Sequence, residues 1–363
     1  MSRSTTILAG AFVLALGLVA QAQEVRVFVG FNGDADARVF AAHGGKAKNV
    51  LAGAVAGTID ARRIPALEAD PSVSFVASNT GVYAFAETLD WGVNRIDAEV
   101  VHTSGNLGTG VRVAILDSGI DQSHPDLSPV ELGADYVGSG AEHWHGTHVA
   151  GIVGARRGNS QGVIGVAPGA TLVEVRILAT DGSGEWGDIV EAIGWASTQG
   201  GCKVVNLSVG GYPTTAVQDA ITNAVNAAIA QGAVVVCAAG NENTSQKSWP
   251  AGAPNAIAVG SIDSKNKKSS FSNWGSWVDC NAPGSSIRST YPGGYATASG
   301  TSMASPMVAG VAALLLASDP GLSPASIDER LKATGDTVSS PVRPIGKRVD
   351  AEEAVLGTQS GNN

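Results

Sequence analysis

The sequence predicts an α/β protein: a mainly parallel sheet with helices on both faces, preceded by a small α+β unit of the split βαβ, ferredoxin-like kind. Three observations carry this. From Val111 onward, short apolar runs of strand length alternate with longer helical segments, as in a parallel sheet covered on both faces. Upstream, the elements are shorter and run strand, helix, strand, helix, strand. Composition agrees, because 44% hydrophobic residues with 47 glycines among 363 residues is ordinary for tight turns and close helix packing.

The chain begins with Arg3, an apolar run from Ile7 to Ala20, and the small-residue pair Ala20 and Ala22. That layout is a secretory signal over residues 1–22, cut after Ala22, and too short to span a membrane comfortably. The mature protein is therefore expected to be soluble and outside the cytoplasm, extracellular or periplasmic, without a membrane anchor.

The upstream unit is predicted as strand Val25 to Phe31, helix Ala35 to His43, a strand region from Leu51 to Ile59, helix Ile64 to Ala69 and strand Val73 to Ala77. Asn79 to Glu87 reads as a cleavable linker. Beyond it come strands Val111 to Leu116, Leu172 to Ile177, Val204 to Ser208, Ala233 to Ala238 and Ala256 to Val259. The helices are placed at His145 to Ala155, Trp186 to Thr198, Ala216 to Gln231 and Ser302 to Ala317, the last with Gly310 inside it for close packing.

The net charge of −9, with one dense basic cluster at Lys265, Lys267 and Lys268, argues against nucleic acid as a partner. Three cysteines, Cys202, Cys237 and Cys280, allow at most one internal disulfide, and the sequence leaves pairing open.

In such folds chemistry collects beyond the carboxyl ends of the strands, and polar residues stand there. Asp117 follows the first strand in AILDSGID, His145 opens HGTHVAGI, Asn241 follows a strand in AAGNEN, and Ser302 sits in SGTSMASP before an apolar helix. Each has a plainer role: a turn or cap for Asp117 and Asn241, an N-cap for Ser302, a satisfied core histidine for His148. A metal at His143, His145 and His148 lacks a carboxylate in a zinc-type pattern. Together, however, the four supply what serine acyl transfer needs: a nucleophile, an imidazole base, a carboxylate that orients it, and an oxyanion donor.

The four motifs, in the order Asp, His, Ser, resemble those of the subtilases. The resemblance implies a subtilisin-like fold over residues 86–363 and a secreted serine endopeptidase working through an acyl-enzyme on protein and peptide substrates. It implies that residues 23–85 are an inhibitory propeptide and folding aid. Its tail, Val82 to Ala86, would lie in the active site and be cut after Phe85 by the enzyme itself. Gly182, Ser183 and Gly184, with Ser208, Val209 and Gly210, match the walls of the family's substrate cleft, and Ser248 the floor of its first pocket. Backbone pairing along such walls predicts broad selection, with large apolar or aromatic residues favoured before the cut and Trp186 lining a second pocket. A structural calcium ion is implied at Glu87, Asp126, Arg157, Asn159, Gln161 and Val163. Family analogy implies a monomer. An esterase of the α/β-hydrolase kind would need a G-x-S-x-G elbow, which Ser302 lacks. The other alternative is a catalytically silent binding or surface module, but every catalytic residue type is present.

Overall fold

A computed structural model describes residues 24–79, 87–127, 129–138, 144–340 and 343–358. The expected signal segment, the Val82 to Ala86 tail and His143 lie outside the described residues. The chain divides into two compact units, Met1–Ala84 and Phe85–Asn363.

The first unit runs β1 (Glu24–Phe31), α1 (Ala37–Ala42), β2 (Lys46–Leu51), β3 (Ala54–Asp60), α2 (Ile64–Glu68) and β4 (Val73–Ser78). Its sheet order is β2-β3-β1-β4, with β1 antiparallel to both β3 and β4, which is the expected split βαβ arrangement. The single strand region expected from Leu51 to Ile59 is instead a hairpin. Gly53, at φ +74°, makes the turn between β2 and β3. Strand β2 escaped notice because all its residues are exposed, so it carries no apolar alternation. Phe40, Ile59 and Leu67 fill a separate small core with Val27, Val29 and Val55.

The second unit begins with α3 (Trp91–Arg95) and α4 (Ala98–Thr103), followed by β5 (Arg112–Asp117), β6 (Val130–Asp135), α5 (Trp144–Gly154), β7 (Thr171–Arg176) and α6 (Trp186–Ser197). It continues with β8 (Val204–Leu207), α7 (Thr215–Ala230), β9 (Val234–Ala238), β10 (Ile257–Ile262) and β11 (Cys280–Pro283). The hairpin β12 (Ile287–Tyr291) and β13 (Gly294–Ala298) precedes α8 (Thr301–Ser318), α9 (Pro324–Ala333) and α10 (Ala351–Leu356). Seven parallel strands stand in the order β11-β10-β9-β8-β5-β7-β6. Within this sheet the two strands missed in sequence, β6 and β11, are its two edges, and the hairpin strands β12 and β13 were missed as well.

Two cores line the two faces. One packs Val113 and Ile115 of β5 against Val149 and Val153 of α5 and Met307, Val308 and Val311 of α8. The other packs Ala114 and Leu116 against Ile193 of α6 and Ile221 and Val225 of α7. Burial on both faces explains why these strands are continuous apolar runs rather than alternating ones. Gly310 is needed where α8 crosses the loop before β7, since a Cβ there would stand 2.5 Å from Val166 Cβ. Helix α8 is long and apolar enough to cross a membrane, yet 83% of it is buried within the protein.

Chain order reverses at β5, which has β7 on one side and β8 on the other. A crevice opens outside the carboxyl ends at such a switch point, and Asp117 and Ser208 lie there.

Candidate active site

Asp117 ends β5 with its side chain fully buried. Its Oδ1 accepts the Ser118 backbone N–H at 2.8 Å, and its two oxygens face His145 Nδ1 at 2.8 and 2.9 Å. An ionised carboxylate only accepts, so Nδ1 carries the imidazole proton and Nε2 is left as the base. The glycine after His145 is what lets α5 come this close. A Cβ on Gly146 would stand 2.2 Å from the Gly119 carbonyl, while its N–H is held by Ser118 Oγ at 3.0 Å. Burial disfavours the charged imidazole, but the Asp117 charge and hydrogen bond outweigh it, and the His145 pKa is raised above its ordinary 6.5.

His148 belongs to packing. Its Nε2 meets the Ala296 carbonyl at 3.2 Å, and burial pushes its pKa down to about 4, so it stays neutral. Among the described residues no group of three or more His, Cys, Asp or Glu side chains could hold a metal.

Ser302 stands in the first turn of α8, whose backbone N–H groups have no partner within the helix. Its hydroxyl donates to the Ser208 carbonyl at 3.0 Å, and Ser208 Oγ donates back to the Ser302 carbonyl at 2.9 Å. Pro306 explains the second bond. Four residues beyond Ser302 it offers no N–H to that carbonyl, so the helix leaves an acceptor that Ser208 fills. Asn241 is fixed through Oδ1, which accepts the Thr301 backbone N–H at 2.8 Å and the Thr301 hydroxyl at 3.0 Å. That choice turns Nδ2, a donor, the other way.

The expected cleft residues gather into two neighbouring recesses. A cavity of about 460 Å³ is lined by His145, Gly182, Ser183, Gly184 and Ser208 to Gly210. Trp186 lines it too, its ring 3.1 Å from where a Gly211 Cβ would be. Leu178 and Ile189 complete its apolar wall, and the sequence flagged neither, since each reads as ordinary core. A smaller recess of about 70 Å³ lies between Ser208, Val209, Gly210 and Asn241, Ser302, with Ser248. Ser248 is buried there, its hydroxyl donating to the Ala239 carbonyl at 2.6 Å. Tyr212 and Glu242 also border this recess and were not anticipated.

The residues expected to hold calcium are drawn together in part. Buried Asp126 accepts from Asn159 Nδ2 at 2.7 Å and from the Val163 N–H at 2.9 Å. Glu87 accepts the Gly158 N–H at 2.7 Å, and Asn159 Oδ1 accepts the Gln161 N–H at 2.9 Å. The Arg157 side chain turns to Glu99, 2.6 Å away, so only its main chain remains with the loop. Glu87 and Asp126 bring two carboxylates from other segments to the loop that carries Asn159, and oxygen donors of this kind suit calcium. The three cysteines are buried free thiols, and burial raises the pKa of each, Cys202 to about 11.

The family model described as "Subtilase family" matches residues 108–352. The chain belongs to the subtilase family. It is 43% identical over 291 residues to subtilisin E of Bacillus subtilis (strain 168), covering 77% of this chain and 75% of that one. It is 44% identical over 265 residues to subtilisin of Bacillus pumilus, covering 70% of this chain and 94% of that one. Among solved structures, a cold adapted subtilisin-like serine proteinase superposes with a TM-score of 0.64 at 36% identity, covering 74% of this chain and 99% of that one. The protein is thus a subtilisin-like serine protease acting on protein substrates. The expectation of a subtilase with its parallel α/β fold holds.

Proposed function

We propose that this subtilase is a secreted endopeptidase whose nucleophile is Ser302, with His145 as base, Asp117 as its orienting carboxylate and Asn241 as oxyanion donor. The observation that carries the assignment is the two-oxygen contact of Asp117 with His145 Nδ1, which leaves Nε2 as the base beside the crevice. Ser302 Oγ swings from the Ser208 carbonyl, passes its proton to His145 Nε2 and attacks the scissile carbonyl. The oxyanion is met by Asn241 Nδ2 and the Ser302 N–H. His145 then returns the proton to the leaving amine, and water releases the acyl group by the same steps in reverse order. Treatment with a fluorophosphonate should add one label, on the peptide containing Ser302. A label on another serine would contradict the assignment.

The pH dependence has a definite sign. The base must be neutral, so kcat/KM falls as pH drops through the His145 pKa. Because that pKa is raised, the acid limb should have its midpoint above 6.5. A limb centred below 6.5 would refute the pairing.

Substrate chains would lie extended between Gly182 to Gly184 and Ser208 to Gly210, held mostly by their backbones. This supports broad selection with large apolar or aromatic residues favoured before the cut, and Trp186, Leu178 and Ile189 make an apolar wall for a side chain further upstream. We further propose that residues 1–22 export the chain and that residues 23–85 are a propeptide that inhibits the enzyme until it is removed by self-cleavage near Phe85. The apolar run and small-residue pair support the first, and a separately folded α+β unit with its own core supports the second.

A calcium ion would be held by Asp126, Asn159 and Glu87 with main-chain carbonyls of Arg157, Gln161 and Val163, tying the start of the second unit to its loop after α5. A ligand that binds only the folded state at a hundredfold over its Kd stabilises by about 2.7 kcal/mol. Calcium should therefore raise the melting temperature of the Ser302→Ala protein, and Asp126→Asn should abolish the calcium-dependent part. Equal melting temperatures with calcium and with chelator would remove the site.

A further inference from the structure

Two loops border the smaller recess beside Ser302: Gly210, Gly211 and Tyr212 after β8, and Gly240, Asn241 and Glu242 after β9. They are tied across it. The Tyr212 hydroxyl donates to Glu242 Oε2 at 3.0 Å. Asn273, fully buried behind Glu242, donates from Nδ2 to the same oxygen at 2.9 Å and to the Ala239 carbonyl at 2.9 Å. Its Oδ1 accepts the backbone N–H groups of Glu242 at 3.1 Å and Thr244 at 3.0 Å. Glu242 is thereby the anchored side of the pair. Tyr212, 43% exposed, is the side held by this bond and by a longer one, 3.4 Å, that Asn273 Nδ2 donates to its oxygen.

We propose that Tyr212 is a specificity-determining residue: a latch on the first side-chain pocket that competes with a cationic substrate side chain for the Glu242 carboxylate. The proposal rests on the serine endopeptidase reading above. Gly210 and Gly240 present no side chains, so a slim, long residue such as lysine passes between the walls. Its ammonium is a charged donor arriving at a carboxylate that only accepts, whereas the phenol is a neutral donor. The ammonium therefore displaces the phenol, and the latch reduces the gain by having to be broken. With the latch closed the recess is only about 70 Å³, and a ring-sized side chain enters by pushing the phenol aside.

The test uses the mature enzyme and two peptide p-nitroanilides that differ only in lysine or leucine before the scissile bond. The readout is the ratio of their kcat/KM values, which does not depend on the folded fraction of a variant. Tyr212→Phe keeps the ring and removes the competing donor, and should raise the lysine-to-leucine ratio by about tenfold, the scale of a charge-assisted hydrogen bond. Glu242→Gln should lower the ratio at least about tenfold. In the Glu242→Gln background, adding Tyr212→Phe should bring no further rise, because the phenol and the ammonium compete only for that carboxylate. A ratio unmoved in Tyr212→Phe, or one that rises equally in both backgrounds, overturns the proposal. Casein hydrolysis by the wild type and its loss in Ser302→Ala report on the serine endopeptidase reading separately. If that activity is present and the ratio does not move, the latch alone is wrong.

Discussion

Ser302→Ala should lower kcat by about 10⁶ while the fold survives, a scale known from subtilisin when its nucleophile is removed. The local structure explains why folding should be spared. The side chain removed is half-buried, and its contact is one hydrogen bond to the Ser208 carbonyl. Losing such a bond costs about 1 kcal/mol. The reverse bond, from Ser208 Oγ to the carbonyl freed by Pro306, remains in place. Residual turnover of about 10³ to 10⁴ over water should persist, since Asn241 and the backbone N–H at position 302 are untouched. Assaying a peptide anilide alongside the melting temperature checks both halves. A loss of less than about a hundredfold would show that another group attacks.

Asp117→Asn should cost about 10⁴ in kcat, the scale found when a triad carboxylate becomes an amide. The reason here is positional. The Ser118 N–H donates to Oδ1 at 2.8 Å and requires an acceptor, so the oxygen of the new amide stays with Ser118. Its NH₂ group then occupies the place of Oδ2 and faces His145 Nδ1, which must accept. The imidazole proton moves to Nε2, and the base needed by Ser302 is lost. The same substitution removes the charge that outweighs burial in raising the His145 pKa, so the acid limb of the residual activity should move to lower pH. A limb that stays in place would mean that Asp117 does not set this pKa.

What the sequence could and could not foretell follows from where each signal resides. Asp117, His145, Asn241 and Ser302 are legible because their neighbours must be particular residues: glycine at 146 for close approach to the Asp117 strand, proline at 306 to free a carbonyl. The central strands are legible because burial on both faces makes them apolar throughout. The edges are not. Strand β6 carries Leu132 at 75% exposure, and β2 is exposed along its length, so neither shows the periodicity of its element. Helix α9 did have a signal, Ser323 before Pro324, where Ser323 Oγ caps the Ser326 N–H at 3.1 Å. The Tyr212 to Glu242 latch had none. It depends on the direction of side chains 30 residues apart and on Asn273 arriving from a third segment.

If Ser302 lets this protease mature itself, intact-mass analysis of the secreted protein, wild type beside Ser302→Ala, should find a wild type that begins near Ala86 and a variant that begins near Gln23. Both beginning near Gln23 would contradict self-processing, and both beginning near Ala86 would place the cut with another protease.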